Sequence, residues 1–363
     1  MKSVRQVVAA VCAIVLMSLA ARLGAQQSQQ NPPTPPSAQQ PEQKSPEKQA
    51  KIILPVTEVL IPVTVKDGRG RLVPDLDRTD FRVLEDNIEQ RVTYFRAEAT
   101  PLSVIILLDN DLKQKDGEQV KKSIDAIVAG LSPTDEAFIC RFDQQFHEGK
   151  GFTTDQDKLL VELKRLRLDT QSDAPSQSGP FNDTPKINGQ TSVTGGPAIS
   201  GSTKAIGSQV TKALDDAVFN AAELLRDRGT NRDRRRIVFL ISDGRNGAKY
   251  NTNSYDTTVR QLLRNSVTVY SIAVGSAFFD RKFSRLVDYA HATGGEVFFA
   301  AKQRAFEELY SRVTEEARHQ YVLAYMPVGT NRAEEYHAIE VRVKREGLNV
   351  IARQGYYTNG VAR

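Results

Sequence analysis

The sequence has few residues that could supply nitrogen or sulfur ligands, with two cysteines and four histidines in 363 residues. Cys12 lies inside an apolar N-terminal stretch, so Cys140 is the one cysteine left for a folded part and no intramolecular disulfide can form there. The pattern around Cys140 predicts a small, buried strand residue. None of the histidines has the spacing of a metal site; they are His147, His291, His319 and His337.

The sequence also lacks the arrangements that catalysis requires. Ser242 is not part of the Gly-x-Ser-x-Gly turn of a hydrolase, and Gly294-Gly295 follows a helical pattern instead of forming a phosphate loop. No residues indicate a catalytic triad, and we therefore expect a protein that is not an enzyme. The enzymatic alternative is a hydrolase in which Asp109 and Asp111 hold a cation that activates water.

A strong basic charge is missing as well. Lys2 and Arg5 precede an apolar stretch that ends near small residues at 24–25, a pattern typical of a secretory signal peptide covering residues 1–25. An uncleaved N-terminal anchor is the alternative. Cleavage would remove three basic residues and no acid, so the net charge would fall from +5 to +2, which gives no case for a nucleic-acid partner. We expect an exported protein, periplasmic, secreted or at the cell surface, without a membrane span after cleavage.

The rest of the chain divides into segments by its residue patterns. Residues 26–50 are rich in Gln and Pro and predict a disordered linker. Alternating apolar residues in 51–100 predict a small all-β module, and similar patterns in 320–358 predict C-terminal strands that join it. Strand and helix patterns alternate through 101–319, which indicates an α/β fold with a doubly wound, mostly parallel sheet.

A low-complexity insertion at 170–206 interrupts this alternation. It is rich in Gln, Ser, Thr, Gly and Pro, and a stretch of this length in a compact domain is functional or disordered. Two interpretations remain open. The insertion is inert and disordered, or it lies over the site formed by the strand ends.

Two apolar runs in the α/β part end in carboxylates. The run from Ser103 leads to Asp109 and Asp111, and the run from Arg236 leads to Asp243. Such runs are typical of central strands that are covered on both faces. Because ligands of open α/β sheets bind at the carboxyl ends of strands, these carboxylates are expected to form an oxygen-rich site suited to a hard cation.

These residues resemble the metal-ion-dependent adhesion site of the von Willebrand factor type A (VWA) domain. Asp109 matches the first Asp of its Asp-x-Ser-x-Ser motif, and Asp243 matches the third-loop Asp. The serine positions hold Asp111 and Lys113, and the Thr position aligns with Lys212, one residue after Thr211. The resemblance implies Mg²⁺ or Mn²⁺ held by Asp109, Asp111, Asp243 and Thr211, and it implies adhesion or binding of a protein ligand.

Motifs outside the VWA part resemble bacterial exported VWA-related proteins; they are Val63 to Gly68, Asp80 to Asp86 and Gln320 to Tyr325. An alternative for the site is an ion-pair cluster without metal, in which Lys113, or Lys212 as a second lysine, supplies the positive charge. The corresponding alternative for the function is a metal-independent structural or assembly component of a cell-envelope complex.

Overall fold

The computed structural model describes residues 58–166, 211–229, 233–275, 285–299, 303–327 and 335–358. The predicted signal peptide, the predicted linker and the 170–206 insertion lie outside these residues. Within the described part of the chain, no helix combines the length and the apolar character needed to cross a membrane.

The chain begins its described part with four strands, and in the first two of them buried residues recur at every second position. They are β1 (Val59–Lys66), β2 (Phe81–Glu85), β3 (Ile88–Gln90) and β4 (Val92–Arg96). Strands β2 and β3 form a tight hairpin through Asp86 and Asn87, whose φ angles are 47° and 68°. Positive φ at both central residues is the geometry of a hairpin turn with a right-handed twist, which Asn and Asp tolerate.

The central part of the chain builds a six-stranded sheet in the order β10-β9-β8-β5-β6-β7. Its strands are β5 (Leu102–Asp109), β6 (Glu136–Phe142), β7 (Phe146–Glu148), β8 (Arg235–Ser242), β9 (Val267–Ala273) and β10 (Val297–Phe299). All neighbours are parallel except β6 and β7. All eight residues of β5 are buried, as expected for a strand covered on both faces.

Seven described helices flank this sheet. They are α1 (Gln114–Lys122), α2 (Ile124–Ala129), α3 (Gln156–Arg165), α4 (Leu214–Leu225), α5 (Tyr255–Arg264), α6 (Arg285–Thr293) and α7 (Gln303–Arg318). Residues of α1, α2, α3 and α7 share one core with Ile106, whereas residues of α4, α5 and α6 share a second core with Ile105. Because successive side chains of a strand point to opposite faces, these cores lie on opposite faces of the sheet. The predicted doubly wound α/β fold is confirmed.

The last strands return to the N-terminal ones. These are β11 (Tyr321–Tyr325), β12 (Tyr336–Val343), β13 (Asn349–Ala352) and β14 (Gly355–Tyr357). They complete two antiparallel sheets, with orders β13-β1-β11-β4 and β14-β12-β2-β3. The inner faces of both sheets contribute to one apolar core, which includes Ile61, Phe81 and Leu323. The prediction of an all-β module built from both N-terminal and C-terminal strands is thereby confirmed, and we call these eight strands the β module.

Buried polar contacts join the β module to the central sheet at the amino ends of its strands. Lys66 of β1 pairs with Glu316 of α7 at 2.8 Å and also with Glu296, the residue that precedes β10. Arg235, the first residue of β8, donates from Nη1 to Gln320 Oε1 at 2.8 Å, and Gln320 donates in turn to Thr64 Oγ1. The β module therefore lies at the end of the central sheet opposite to the strand ends that carry Asp109 and Asp243.

Candidate functional site

Two carboxylates meet at the carboxyl edge of the central sheet. Asp109 is the last residue of β5, and Asp243 follows the last residue of β8. Strands β5 and β8 are parallel neighbours in which Leu108 lies opposite Ile241, so their ends are adjacent. Asp109 is 1% exposed and Asp243 is 5% exposed, which removes both carboxylates almost completely from water.

The side chain of Lys212 occupies the space between these two carboxylates. Its Nζ lies 2.7 Å from Asp109 Oδ2 and 3.0 Å from Asp243 Oδ1, and the residue is 0% exposed. A buried ammonium needs such partners, because an unpaired charge in a low-dielectric interior carries a penalty of several kcal/mol. The Lys212 ammonium therefore has a carboxylate partner on each side.

The backbone around Lys212 is fixed by loops that follow two other strands. The carbonyl oxygen of Lys212 accepts from Gly247 N at 2.8 Å, in the loop after β8. The next residue, Ala213, donates from its N–H to Asp143 O at 2.8 Å, in the loop after β6. These long-range bonds set the register of the segment before α4, so that Lys212 enters the site and not Thr211.

Every oxygen of the two carboxylates accepts a hydrogen bond within the chain. Asp109 Oδ2 accepts from Lys212 Nζ and from Ser242 Oγ at 2.7 Å each, and Asp109 Oδ1 accepts from the backbone N–H of Asp111 at 3.0 Å. Asp243 Oδ1 accepts from Lys212 Nζ, and Asp243 Oδ2 accepts from Arg245 Nε at 2.7 Å. Each carboxylate oxygen thus already has a hydrogen-bond donor from this strand edge.

The two carboxyl groups differ in their electrostatic surroundings. Complete burial raises the pKa of Asp109 above its usual range, and the Lys212 ammonium opposes that shift. Burial acts in the same direction on Asp243, but Lys212 and Arg245 together hold the pKa of Asp243 below its usual value. Two contacts account for the difference, because Arg245 forms an ion pair with Asp243 at 2.7 Å, and the charge of Asp243 helps to raise the pKa of Asp109.

The other predicted ligands lie at the border of this cluster. Asp111 is half-buried, and its charge helps to raise the pKa of the Arg245 guanidinium. Thr211, the residue before Lys212, is half-buried. Lys113, the lysine that the sequence first suggested as an internal counter-ion, is exposed and precedes α1. The positive charge in the site comes from Lys212 instead.

The residues present do not fit a divalent cation between Asp109 and Asp243. Mg²⁺ and similar ions take about six oxygen ligands within roughly 2.0–2.6 Å, whereas the ammonium of Lys212 already lies within hydrogen-bonding distance of both carboxylates. A cation there would face a positive charge and oxygens that are already engaged. Among the described residues, no group of three or more His, Cys, Asp or Glu side chains is placed to hold a metal.

Polar contacts from the start of α4 fix the loop that follows Asp243. Asp215, in the first turn of α4, accepts from Asn246 Nδ2 at 2.7 Å and from the hydroxyl of Tyr289 at 2.5 Å. Its neighbour Asp216 accepts from the backbone N–H groups of residues 252 and 253. Sequence reasoning missed these roles, although two acids in the first turn of a helix, where the helix dipole favours them, were a usable signal.

A further polar group lies beside the site, after β6. Asn110 donates from Nδ2 to Asp143 Oδ2 at 3.4 Å, and His147 Nε2 lies 3.2 Å from the same carboxylate. Burial would raise the pKa of Asp143, but the backbone N–H of Gln145 and the imidazole of His147 hold it below its usual value. This group was also missed, because nothing in the sequence spacing connects Asn110 with the end of β6.

Two further residues of the central strands are buried, and the burial of Cys140 agrees with its prediction. Cys140 is buried in β6, and burial raises the pKa of its thiol to about 12. Ser242 is fully buried, and its hydroxyl donates to Asp109.

Comparison with known proteins gives structural matches only. No family model and no curated protein matches the chain. A mussel byssus protein, proximal thread matrix protein 1 with a zinc-occupied MIDAS motif, matches with a TM-score of 0.40 and 15% identity over 64% of this chain and 49% of that one. The chain thus spans about half the length of this first relative.

Two other matches have similar statistics. A von Willebrand factor type A protein from Catenulispora acidiphila has a TM-score of 0.42 and 9% identity, over 77% of this chain and 74% of that one. The manganese-loaded TRAP protein of Plasmodium vivax has a TM-score of 0.37 and 12% identity, over 73% and 98%. At these identities the likeness concerns the fold and extends to no function. VWA-domain proteins are among the solved structures that this chain matches, and the α/β architecture that the resemblance implied is present in the described residues.

Proposed function

We propose that this chain is an exported, non-enzymatic binding module that recognises another protein at the carboxyl edge of its central sheet. The observation that carries the proposal is the closed arrangement of Lys212, Asp109 and Asp243. A general base or a metal-activated water needs a group with free hydrogen-bonding capacity near substrate. These carboxylates are buried and engaged, so they support a fixed loop framework and not a reaction.

A fixed framework favours recognition. Loops that are ordered before binding lose less conformational entropy when a partner docks, which leaves more of the interaction energy for affinity. Here Lys212, Asp215 and Asp216 hold the loops after β6 and β8 through hydrogen bonds to backbone and side-chain groups. The β module lies at the opposite end of the central sheet, so the carboxyl edge is formed by the loops that follow the strands.

In the form with Mg²⁺ or Mn²⁺ at Asp109, Asp111, Asp243 and Thr211, the proposal requires Lys212 to leave the site. The geometry opposes that step, because the departure would place an ammonium in another environment and expose two buried carboxylates to each other. We therefore propose binding that does not depend on a divalent cation.

The test is a binding assay with matched charge reversals at the two ends of the molecule. The full chain is immobilised and exposed to cell-envelope and culture-surface fractions, and captured proteins are quantified for the native chain, Lys113→Glu and Lys344→Glu. Both lysines are exposed, Lys113 at the carboxyl edge and Lys344 after β12 in the β module. Capture of a specific protein that is reduced at least tenfold by Lys113→Glu alone supports the proposal.

A second candidate function has its own supporting observation. The β module exposes Ile88 on the edge strand β3 (67% exposed) and Tyr336 at the start of β12 (45% exposed). An exposed apolar residue on an edge strand, as Ile88 is on β3, favours contact with another chain. This supports a metal-independent structural or assembly component of an envelope complex. Loss of capture in Lys344→Glu, with Lys113→Glu unaffected, would favour this second function over the first.

Export itself rests on residues 1–25, which lie outside the described part of the chain. Its test is N-terminal sequencing of the protein recovered from periplasm and medium. A mature chain that begins at Gln26 supports export, and an intact Met1 in the cytoplasmic fraction contradicts it.

A further inference from the structure

The charges at the strand ends balance one another without a bound metal. Asp109 and Asp243 contribute two negative charges, and Lys212 and Arg245 contribute two positive ones. The Lys212 Nζ is the one of these cations that contacts both carboxylates, at 2.7 Å and 3.0 Å. It therefore bridges β5 and β8 through a single central charge, as a bound cation would.

The position of Lys212 also excludes a second cation from the same place. A divalent ion that bound Asp109 Oδ2 and Asp243 Oδ1 would lie about 2–2.6 Å from each oxygen, and the ammonium contacts those same two atoms. In a site where these residues are 0–5% exposed, solvent screens their repulsion only weakly. The ammonium and the metal are therefore alternatives.

We propose that Lys212 is a covalently attached substitute for a divalent cation, and that replacing Lys212 with a short hydroxyl side chain converts this strand edge into a site for Mg²⁺ or Mn²⁺. Removing the lysine frees Asp109 Oδ2 and Asp243 Oδ1 and leaves two buried carboxylates without their shared counter-ion. A hard cation with bound water suits such oxygens. This inference concerns the cation alone and does not depend on which partner the edge binds.

A consequence follows for the native chain. An attached cation cannot be removed by a chelator and does not vary with the supply of metal outside the cell. The loops that Lys212 connects, those after β6 and β8, therefore keep their arrangement in the presence of EDTA.

The test uses the full chain, made free of metal, with three variants. Lys212→Met removes the charge, keeps most of the side-chain volume and adds no oxygen. Lys212→Thr removes the charge and adds a hydroxyl. The double variant Lys212→Thr with Asp109→Asn removes a ligand from the second design. Binding of Mn²⁺ is measured by calorimetry, and thermal unfolding is followed with EDTA, Mg²⁺ or Mn²⁺.

The native chain is expected to bind no Mn²⁺ at its strand edge and to unfold at the same temperature in EDTA and in Mg²⁺. Lys212→Met should unfold at a lower temperature that no metal restores. Lys212→Thr should bind one Mn²⁺, with an affinity at least 100-fold above any residual Mn²⁺ affinity of the native chain, and should recover stability with it. Adding Asp109→Asn should abolish both effects.

Two results would overturn the inference: Mn²⁺ binding by the native chain that Asp109→Asn abolishes, or a folded Lys212→Thr chain that binds Mn²⁺ no better than Lys212→Met. If the lysine variants do not fold, the native chain still decides the question through its response to Mn²⁺ and EDTA. Because these readouts involve no protein partner, their failure is distinct from a failure to find a binding partner.

Discussion

Lys66 of the β module and Glu316 of α7 form an ion pair with 2.8 Å between Nζ and Oε1, and their side chains are 4% and 3% exposed. Burial raises the pKa of Glu316, and the hydrogen bond from Lys66 opposes that shift. The two residues belong to different parts of the fold, and their charges meet in a buried position. The pair therefore joins the β module to the central part of the fold by a buried ionic contact.

Removing one charge of this pair should be costly. Lys66→Met removes the ammonium that Glu316 and Glu296 share, while Glu316 keeps Arg312 at 3.0 Å. We therefore expect a loss at the lower end of the about 3–5 kcal/mol that breaking a buried pair typically costs. Urea unfolding of both chains measures the difference. The matched control is Lys158→Met, whose ammonium is 75% exposed and pairs with Asp155 at the surface, and its unfolding midpoint should stay nearly unchanged. Equal effects of the two substitutions would show that the Lys66 pair adds nothing by being buried.

The strand-end lysine gives a second prediction on stability. Lys212→Met is expected to lower the free energy of unfolding by roughly 3–5 kcal/mol, because Asp109 and Asp243 lose a fully buried partner. Lys113→Met, which changes an exposed lysine at the same edge, should have little effect. Chemical unfolding monitored by circular dichroism measures both. A larger loss for Lys113→Met would mean that Lys113, and not Lys212, supplies the internal charge.

The pH dependence of stability should carry a contribution from Glu136. Burial alone would raise its pKa, but hydrogen bonds from Arg228 and Ser103 outweigh burial and hold the pKa below the usual value of 4.5. A carboxylate with a lowered folded-state pKa stabilises the fold above its unfolded pKa and loses that contribution as the pH falls through the folded value. The stability difference between the native chain and Glu136→Gln should therefore be greatest near neutral pH.

That difference should shrink as the pH is lowered below about 4.5, the ordinary pKa of glutamate. Urea unfolding across the acidic range measures it, with the exposed Glu346→Gln as control. A stability difference that stays constant or grows as the pH is lowered would show that the pKa of Glu136 is not lowered by folding.

Gly294 is predicted to be the glycine at which a methyl group does most harm to the junction with the β module. It follows α6 with a φ of +76°, and a Cβ there would lie 2.5 Å from the backbone nitrogen of Arg353. Gly151 also has a positive φ, +105°, but a Cβ there would meet nothing within 4 Å. Gly151→Ala should cost about 1–2 kcal/mol from backbone strain, and Gly294→Ala should cost about 1–3 kcal/mol more from steric overlap. Thermal unfolding measures the loss of stability in each variant. Equal losses would show that the close contact of a Cβ with Arg353 adds no cost.

Much of the fold could be predicted from local patterns. The apolar run of β5 and the alternation of apolar residues in β1 are patterns typical of strands. Because the carboxyl ends of parallel neighbouring strands lie side by side, these patterns predicted that Asp109 and Asp243 are close together. The site could be predicted only in part. The choice between Thr211 and Lys212 depends on the hydrogen bonds of residues 212 and 213 to the loops after β8 and β6, and no local pattern encodes such contacts.

The junction between the two parts was beyond sequence reasoning for a related reason. Lys66 and Glu316 are far apart in the chain, and each alone is an ordinary charged residue of a strand or a helix. Their burial follows from how the β module packs on the amino ends of the central strands, which is a property of the whole fold. The short strand β14 escaped prediction because Gly355–Tyr357 is too brief for any periodic pattern.

The pairing of β1 with β11 and β13 has a consequence for the order of events during synthesis. Val63 lies opposite Tyr321 in one strand pair and opposite Ala352 in the other, so β1 has neither neighbour until almost the entire chain has emerged. The strands and helices of the central sheet come out earlier and in sequence. We expect the central sheet to assemble first while β1 stays an unpaired, apolar strand that other chains can join. A chain that stops before Asn349 would keep one edge of β1 open permanently and should aggregate.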